Sequence, residues 1–404
     1  IHIPPTDFID QGPGTGLTAR NIHYSATGNE TIDLPTGRYK IVFSRGPEYD
    51  NYEEEILITY TGNNEINARL NRVVDTAGYI TADIGVRTNN SQDCYVTPED
   101  RLVTAAAEGV EYIVSGDSNI AFNLAPALEK TGLAPFIRTG IGKRFEFAGP
   151  DSPGTFLIWP FSEAEAAREG VSLDTKNAPG FFKSIRAQYP DSLIQVCRPG
   201  FPLEGYFTRF GYDHKEKHTI TDPEFSYEFD LLEFWEGKRF GASEETLKMM
   251  MNVWLAGYDR IRPTGGSFSH ETWGEEVGYP RLYIATENDD PAKVTDKDIV
   301  AGIRKGNYQI SNGPFIKFTV NGMPPGSIVT DTDGTIDCHL EVFAPPWVHT
   351  SYIEVKMDGI FLKRTIQPPS TAVKRFPGET SIEGADNFRL KIKKDSIITV
   401  EVVG

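Results

Sequence analysis

Val96-Thr97-Pro98-Glu99-Asp100-Arg101-Leu102-Val103-Thr104-Ala105-Ala106-Ala107-Glu108-Gly109-Val110-Glu111-Tyr112-Ile113-Val114 is the stretch that decides the fold class. Thr97 is an N-cap, Pro98 suits the first helical position, and Glu99 and Asp100 favour the positive end of the helix dipole. The helix runs through Ala107, and Gly109 can end it. Val110-Glu111-Tyr112-Ile113-Val114 follows at once as a strand. A helix handed directly to a strand is one step of a β/α architecture.

The step recurs outward from there. Ser162 with Glu165 makes a capping box for a helix that Gly170 can stop. Leu193-Ile194-Gln195-Val196 and Phe229-Asp230-Leu231-Leu232-Glu233-Phe234 read as strands. Near 243–256, Leu247, Met250, Met251, Trp254 and Leu255 share one helix face at core spacing, so the methionines read as packing. Thr295 with Asp298 caps a last helix ending near Gly306. The alternation predicts a parallel β/α barrel over 77–310. The flanks read as strands and turns. Tyr39-Lys40-Ile41-Val42-Phe43 and Ile56-Leu57-Ile58-Thr59-Tyr60, after a loop punctuated by Gly12, Gly14 and Gly16, predict an N-terminal β-sandwich over 1–76. Alternating runs at 315–320, 336–342, 352–357 and 396–402, with turns at Asn321-Gly322, Asp333-Gly334 and Asp358-Gly359, predict a C-terminal, Ig-like β-sandwich over 311–404.

Composition bounds the function. A chain of 404 residues with 39% hydrophobic and 11% aromatic residues can build two or three cores. A net charge of −17 argues against nucleic acid as a partner, because phosphate recognition needs clustered Lys and Arg. No apolar run approaches the ~18 residues of a membrane span. The chain starts at Ile1 without Met, which leaves two expectations: a disordered start, or a cleaved leader and a mature exported chain, periplasmic or extracellular. Cys94, Cys197 and Cys338 allow at most one disulfide. His214 and His218 have helical metal spacing, but the surrounding charges make them a solvated loop.

Several segments are specific in combination: Leu34-Pro35-Thr36-Gly37-Arg38-Tyr39, Ser44-Arg45-Gly46-Pro47-Glu48-Tyr49, Gly274-Glu275-Glu276-Val277-Gly278-Tyr279-Pro280-Arg281 and Ser311-Asn312-Gly313-Pro314-Phe315, with the Val96–Arg101 stretch. With them the chain resembles the carbaryl-hydrolase-like branch of the PHP (polymerase and histidinol phosphatase) superfamily over nearly its whole length. The resemblance implies a distorted (β/α)7 barrel flanked by β-domains. It also implies a metal cluster at the strand C-termini, held by imidazoles and carboxylates, where the ions lower the pKa of a bound water.

The ligand signatures are broken at every segment. Asp-X-His-X-His reads Asp83-Ile84-Gly85-Val86-Arg87, with Asp93 following. Asp-His-Asn reads Asp117-Ser118-Asn119, and a Gly-His segment reads Gly154-Thr155. Asn-His-Pro reads Cys197-Arg198-Pro199, and Ser-Asp-Ser-His reads Ser267-Phe268-Ser269-His270. A glutamate ligand aligns with Gly142 or with Glu146. The former metal pocket is thus Gly85, Arg87, Asp93, Asp117, Ser118, Thr155, Arg198, Phe268 and His270. Only Asp93, His270 and Glu146 remain as weak metal candidates, too thin a set for a cluster. No metal, cofactor or catalytic residue is expected.

Arg87 and Arg198 are expected to do the structural work of the lost cations by pairing with Asp93 and Asp117. The rival reading makes the two arginines an anion site. The function expected is a pseudoenzyme, an exported binding or assembly subunit acting through a protein partner or self-assembly. The alternatives are a residual metal-dependent hydrolase of esters, carbamates or phosphoesters, and a binder of a small anionic ligand in the remodelled pocket.

Overall fold

The computed structural model describes residues 16–404 apart from 20, 62–63, 148–152, 169–171, 202–204, 214, 216–218, 238–239, 331–332 and 367–381. Gly12, Gly14, Gly170, His214 and His218, singled out above, lie outside the described residues. The leading segment pairs Thr18–Ala19 (β1) with Ile22–His23 (β2), and Gly37–Phe43 (β3) with Tyr52–Ile58 (β4). Among the described residues these are two-stranded ribbons, where the sequence predicts a sandwich. The ribbon of β3 and β4 offers little to bury: Ile41 is its only fully buried residue, and Glu53, Glu54 and Glu55 run in succession along β4.

The central sheet has nine strands: Tyr79–Val86 (β5), Tyr112–Ser115 (β6), Arg138–Glu146 (β7), Thr155–Phe161 (β8), Leu193–Cys197 (β9), Leu231–Glu236 (β10), Arg262–Gly266 (β11), Arg281–Ala285 (β12) and Tyr308–Ser311 (β13). Their order is β11-β10-β9-β8-β7-β6-β5-β12-β13. The run β5-β6-β7 is parallel, as is β9-β10-β11. β8 runs antiparallel to both neighbours, and β12 to β5 and β13. The parallel sheet expected from the alternation therefore gives way to a mixed one. Too few residues separate Glu146 from Thr155 for a crossover helix, so β7 and β8 can only pair antiparallel.

The sheet curls until its β11 end meets β5. Ser267 N donates to Asp83 Oδ1 at 2.9 Å, and a Cβ on Gly266 would stand 2.5 Å from the Ile84 carbonyl oxygen. The barrel is nearly closed. Helices Pro98–Ala107 (α1), Ala125–Thr131 (α2), Glu163–Ala166 (α3), Ala178–Gln188 (α4), Tyr206–Arg209 (α5), Phe240–Leu255 (α6) and Asp296–Lys305 (α7) surround it. The caps at Thr97, Ser162 and Thr295 form as the sequence predicts, although α3 is a single turn. Aromatic side chains dominate the packing between the sheet and α4: Phe156, Phe182, Tyr206 and Phe229 interlock edge to face, and Phe181 stacks on Phe156. Tyr112 donates to Asp296 Oδ1 at 2.6 Å, which ties α7 to the N-terminal end of the parallel strands, the barrel floor.

The remaining strands are Phe315–Val320 (β14), Thr335–Phe343 (β15), Tyr352–Met357 (β16), Ile360–Ile366 (β17), Ile382–Lys391 (β18) and Ile398–Val403 (β19). They form two three-stranded sheets, β14-β15-β18 and β17-β16-β19. Leu340 and Val342 of one meet Ile353 and Val400 of the other in a shared apolar cluster. Asn321-Gly322 and Asp358-Gly359 all adopt positive φ, the paired left-handed conformation of a tight hairpin turn.

Candidate functional site at the barrel mouth

The parallel strands release their chains at one end of the barrel. Strand β8, running the other way, begins there at Thr155, which pairs in register with Glu146 and Cys197. The segments 83–87, 117–119, 154–155, 197–198 and 267–270 therefore converge on one mouth, although they lie far apart in sequence.

Phe268 occupies its centre. Three guanidinium carbons approach its ring: Arg144 at 4.2 Å, Arg198 at 4.5 Å and Arg87 at 4.6 Å. The His270 ring packs edge-on at 4.3 Å. Each such cation–π contact contributes about 0.5–2 kcal/mol, more where water is excluded. Around the ring stand Asp93, Glu146, Glu233 and Glu236. Arg87, only 2% exposed, donates through Nη1 to Asp93 Oδ1 and Oδ2 at 2.6 and 2.7 Å and to Ser118 Oγ at 2.6 Å. Its Nη2 donates to Glu146 Oε1. Arg198 Nε donates to Glu236 Oε1 at 2.7 Å, and its backbone N–H to Glu233 Oε2 at 2.8 Å. Arg144 lies 3.3 Å from Glu146 and 3.6 Å from Glu236, without hydrogen-bond alignment at Nε or Nη2.

Asp117 does not join this network as expected. It accepts from Thr88 N, Thr88 Oγ1 and Ser91 Oγ, each at 2.8 Å, so neighbouring hydroxyls satisfy it. Nor are Arg87 and Arg198 poised for an anion: each is committed to a protein carboxylate. Cys94 and Cys197 are free buried thiols. Cys94 donates to the His270 carbonyl at 3.0 Å.

Electrostatics follow from the crowding. Burial, reinforced by Glu236, pushes the Glu233 carboxyl up to about 7 despite Arg144 and Arg198. Burial also raises Asp117. Burial would raise Asp93 too, but Arg87 outweighs it and holds the carboxyl below its ordinary range. Burial and Arg87 depress His270 against the opposing pull of Asp93 and Glu275.

A divalent metal cluster does not fit these residues. The Arg87 guanidinium spans Asp93 and Glu146, and His270 contacts Asp93 and Glu275 at 3.2 Å each. Asp93, His270 and Glu146, the remaining candidate ligands, are thus already engaged. Among the described residues, no three His, Cys, Asp or Glu side chains are placed to share a metal ion.

Backbone geometry also disfavours an imidazole at one of these positions. Gly85 sits at a register break in β5 with φ +95°, next to Leu157. An imidazole-bearing residue there would be strained whatever it bound. We expect Gly85→Ala to lower stability by about 1–2 kcal/mol, read as a shifted urea midpoint at constant slope.

Sequence reasoning missed Arg144, Glu236 and Arg101. Arg144 was legible: it stands two residues before Glu146 on a strand, hence on the same face. Glu236 is three residues from Glu233 and reaches the same network only because β10 slips register between Glu233 and Trp235. Arg101 is fully buried; it donates to the Arg87 carbonyl at 2.8 Å and to Ser269 Oγ at 2.6 Å, stapling two mouth loops.

Every ligand-bearing segment of the resemblance thus meets at one mouth. No family model matches the chain, and no curated protein matches it. Among solved structures it is similar to a two-domain protein from Bacteroides vulgatus containing a predicted PHP-like metal-dependent phosphoesterase. That alignment has 13% identity and a TM-score of 0.43, over 84% of this chain and 91% of that one. A lesion-specific endonuclease from Pyrococcus furiosus aligns at 13% identity and TM-score 0.39, over 57% of each chain. PsfC from Pseudomonas syringae aligns at 10% identity and TM-score 0.35, over 55% of this chain and 88% of that one. The barrel of this chain brings its mouth loops together around Phe268 and three guanidinium groups.

Proposed function

We propose that this PHP-like chain performs no metal-dependent hydrolysis and acts by binding, as an assembly subunit or through a protein partner. One observation carries the reading: the Arg87 guanidinium bridges Asp93 and Glu146, the carboxylates left to hold an ion. Arginine stays protonated and cannot ligate a metal. Its fixed charge satisfies the acids without creating a Lewis-acidic centre or an activated water. The partner proposed is a protein rather than a nucleic acid, because the chain carries a net charge of −17. Flanking β-domains would supply edges and loops for contact. Export to the periplasm or cell surface belongs to the same proposal, and fractionation of the source cells tests it.

The decisive test combines metal analysis with turnover. After equilibration with zinc, manganese or iron and desalting, the protein should hold far less than one ion per chain. It should not hydrolyse aryl phosphate, phosphodiester, ester or carbamate substrates above a heat-denatured control. Stoichiometric metal together with turnover that a chelator abolishes overturns the proposal and restores the hydrolase reading.

A further inference from the structure

We propose that the barrel floor, at the opposite end from the mouth, carries a binding site for a small phosphate-type oxyanion. A cleft of about 270 Å³ opens there between the starts of β9, β10 and β11 and the C-terminal end of α7. Arg260, Arg262 and Arg304 line it, with Leu231 and Ile303 as apolar wall. On a chain of net charge −17, three guanidiniums around one cleft run against the overall field.

The charges there are not balanced. Asp230 is the acid on the cleft wall, and it is already used: Arg186 donates to its Oδ2 at 2.6 Å and Ile194 N at 2.7 Å. Arg260 is held by the Phe229 and Tyr227 carbonyls and by Glu228. Arg262 and Arg304 have no carboxylate partner among the described residues. Arg262 Nη2 reaches only the Arg304 carbonyl, at 3.5 Å, while its Nε is buried with no hydrogen-bond acceptor. A buried guanidinium N–H without an acceptor implies a group that supplies one. Water could satisfy that single N–H. The cleft also brings together two guanidiniums that have no carboxylate partner among the described residues, and a tetrahedral oxyanion offers several acceptors matched to the arginine fork. The volume suits phosphate or a small phosphate monoester and is too small for a polymer. This site is independent of the mouth: its residues take no part in the network around Phe268, and the test reads binding rather than hydrolysis.

Calorimetric titration of the full chain with inorganic phosphate at low ionic strength should give saturable one-site binding, weakened as salt is raised. Arg304→Gln, at an exposed residue, should fold normally and weaken binding by about tenfold, and Arg304→Lys by less. Arg262→Gln should weaken it more, but it also removes a contact to the end of α7, so its thermal melt must be recorded beside the titration. Acetate should compete poorly, whereas phenyl phosphate should bind at least as well as phosphate. Co-sedimentation with phosphatidic-acid vesicles separates a free ligand from a lipid headgroup. Absence of saturable binding, equal affinity in Arg304→Gln, or capture by vesicles without binding of free phosphate each overturns the proposal.

Discussion

Arg87→Ala should cost this protein about 3 kcal/mol of stability, because it removes a resident cation rather than one surface ion pair. Breaking a fully buried pair costs about 3–5 kcal/mol, since the surviving charge is left uncompensated. Here Asp93 is 50% and Glu146 37% exposed, so water recovers part of that loss. Against this, the variant also loses a cation–π contact at 4.6 Å and leaves a hole beside Phe268. Arg87→Lys should recover little, because an ammonium cannot hydrogen-bond Asp93, Ser118 and Glu146 together as the planar fork does. Urea unfolding at pH 7 measures both variants, and mild acid should narrow their gap to wild type by protonating the abandoned carboxylates. A loss below about 1 kcal/mol for Arg87→Ala would place Arg87 among ordinary exposed pairs and sink the replacement idea.

The second large effect is in pH. Stability should fall as pH rises from about 5 to 8. Burial, helped by Glu48, lifts Glu111 to about 7, and burial with Glu236 lifts Glu233 to about 7. In the unfolded chain both return to the ordinary glutamate range near 4.5. Between those values the folded state holds more protons. Its advantage is complete below the unfolded pKa and is lost as pH passes through the folded one. For Glu111 the shift corresponds to at most about 3 kcal/mol. Asp83, Glu108, Asp117 and Asp296 are also raised by burial and add in the same direction. His270, depressed by burial and Arg87, opposes: its contribution is lost as pH falls through the ordinary histidine range towards its folded value. The raised acids outnumber it, so the melting temperature should be several degrees higher at pH 5.5 than at pH 8. Glu233→Gln should flatten the curve and raise stability at pH 8. A melting temperature that climbs from pH 5.5 to 8 would contradict this balance.

The pH slope and the Arg87 loss share a cause. The mouth gathers three guanidiniums and four carboxyls around one ring, and a partly protonated Glu233 brings that count near balance. Three of the five non-glycine residues with positive φ among those described, Asn119, Arg198 and Phe268, lie in its loops. Left-handed backbone at a bulky residue such as Phe268 persists only where its surroundings hold it. Here the three guanidiniums do so.

The sequence by itself determined what local chemistry can determine. The caps at Thr97 and Thr295, the glycine stop at Gly306 and the strand at 315–320 depend on neighbours a few residues away. That Arg87 and Arg198 stand where the resemblance implies imidazoles, and Phe268 where it implies a carboxylate, was legible from the segments around those positions. Tertiary structure alone decided the rest. The reversal of β8 follows from a connection too short to cross the sheet, and the slip in β10 brings Glu236 beside Glu233. Curling of the sheet, not spacing along the chain, made Arg144 and Arg198 share one phenylalanine ring. Pairing among charges depends on which loops meet in space, so Asp117 went to two hydroxyl residues while Glu146 went to Arg87.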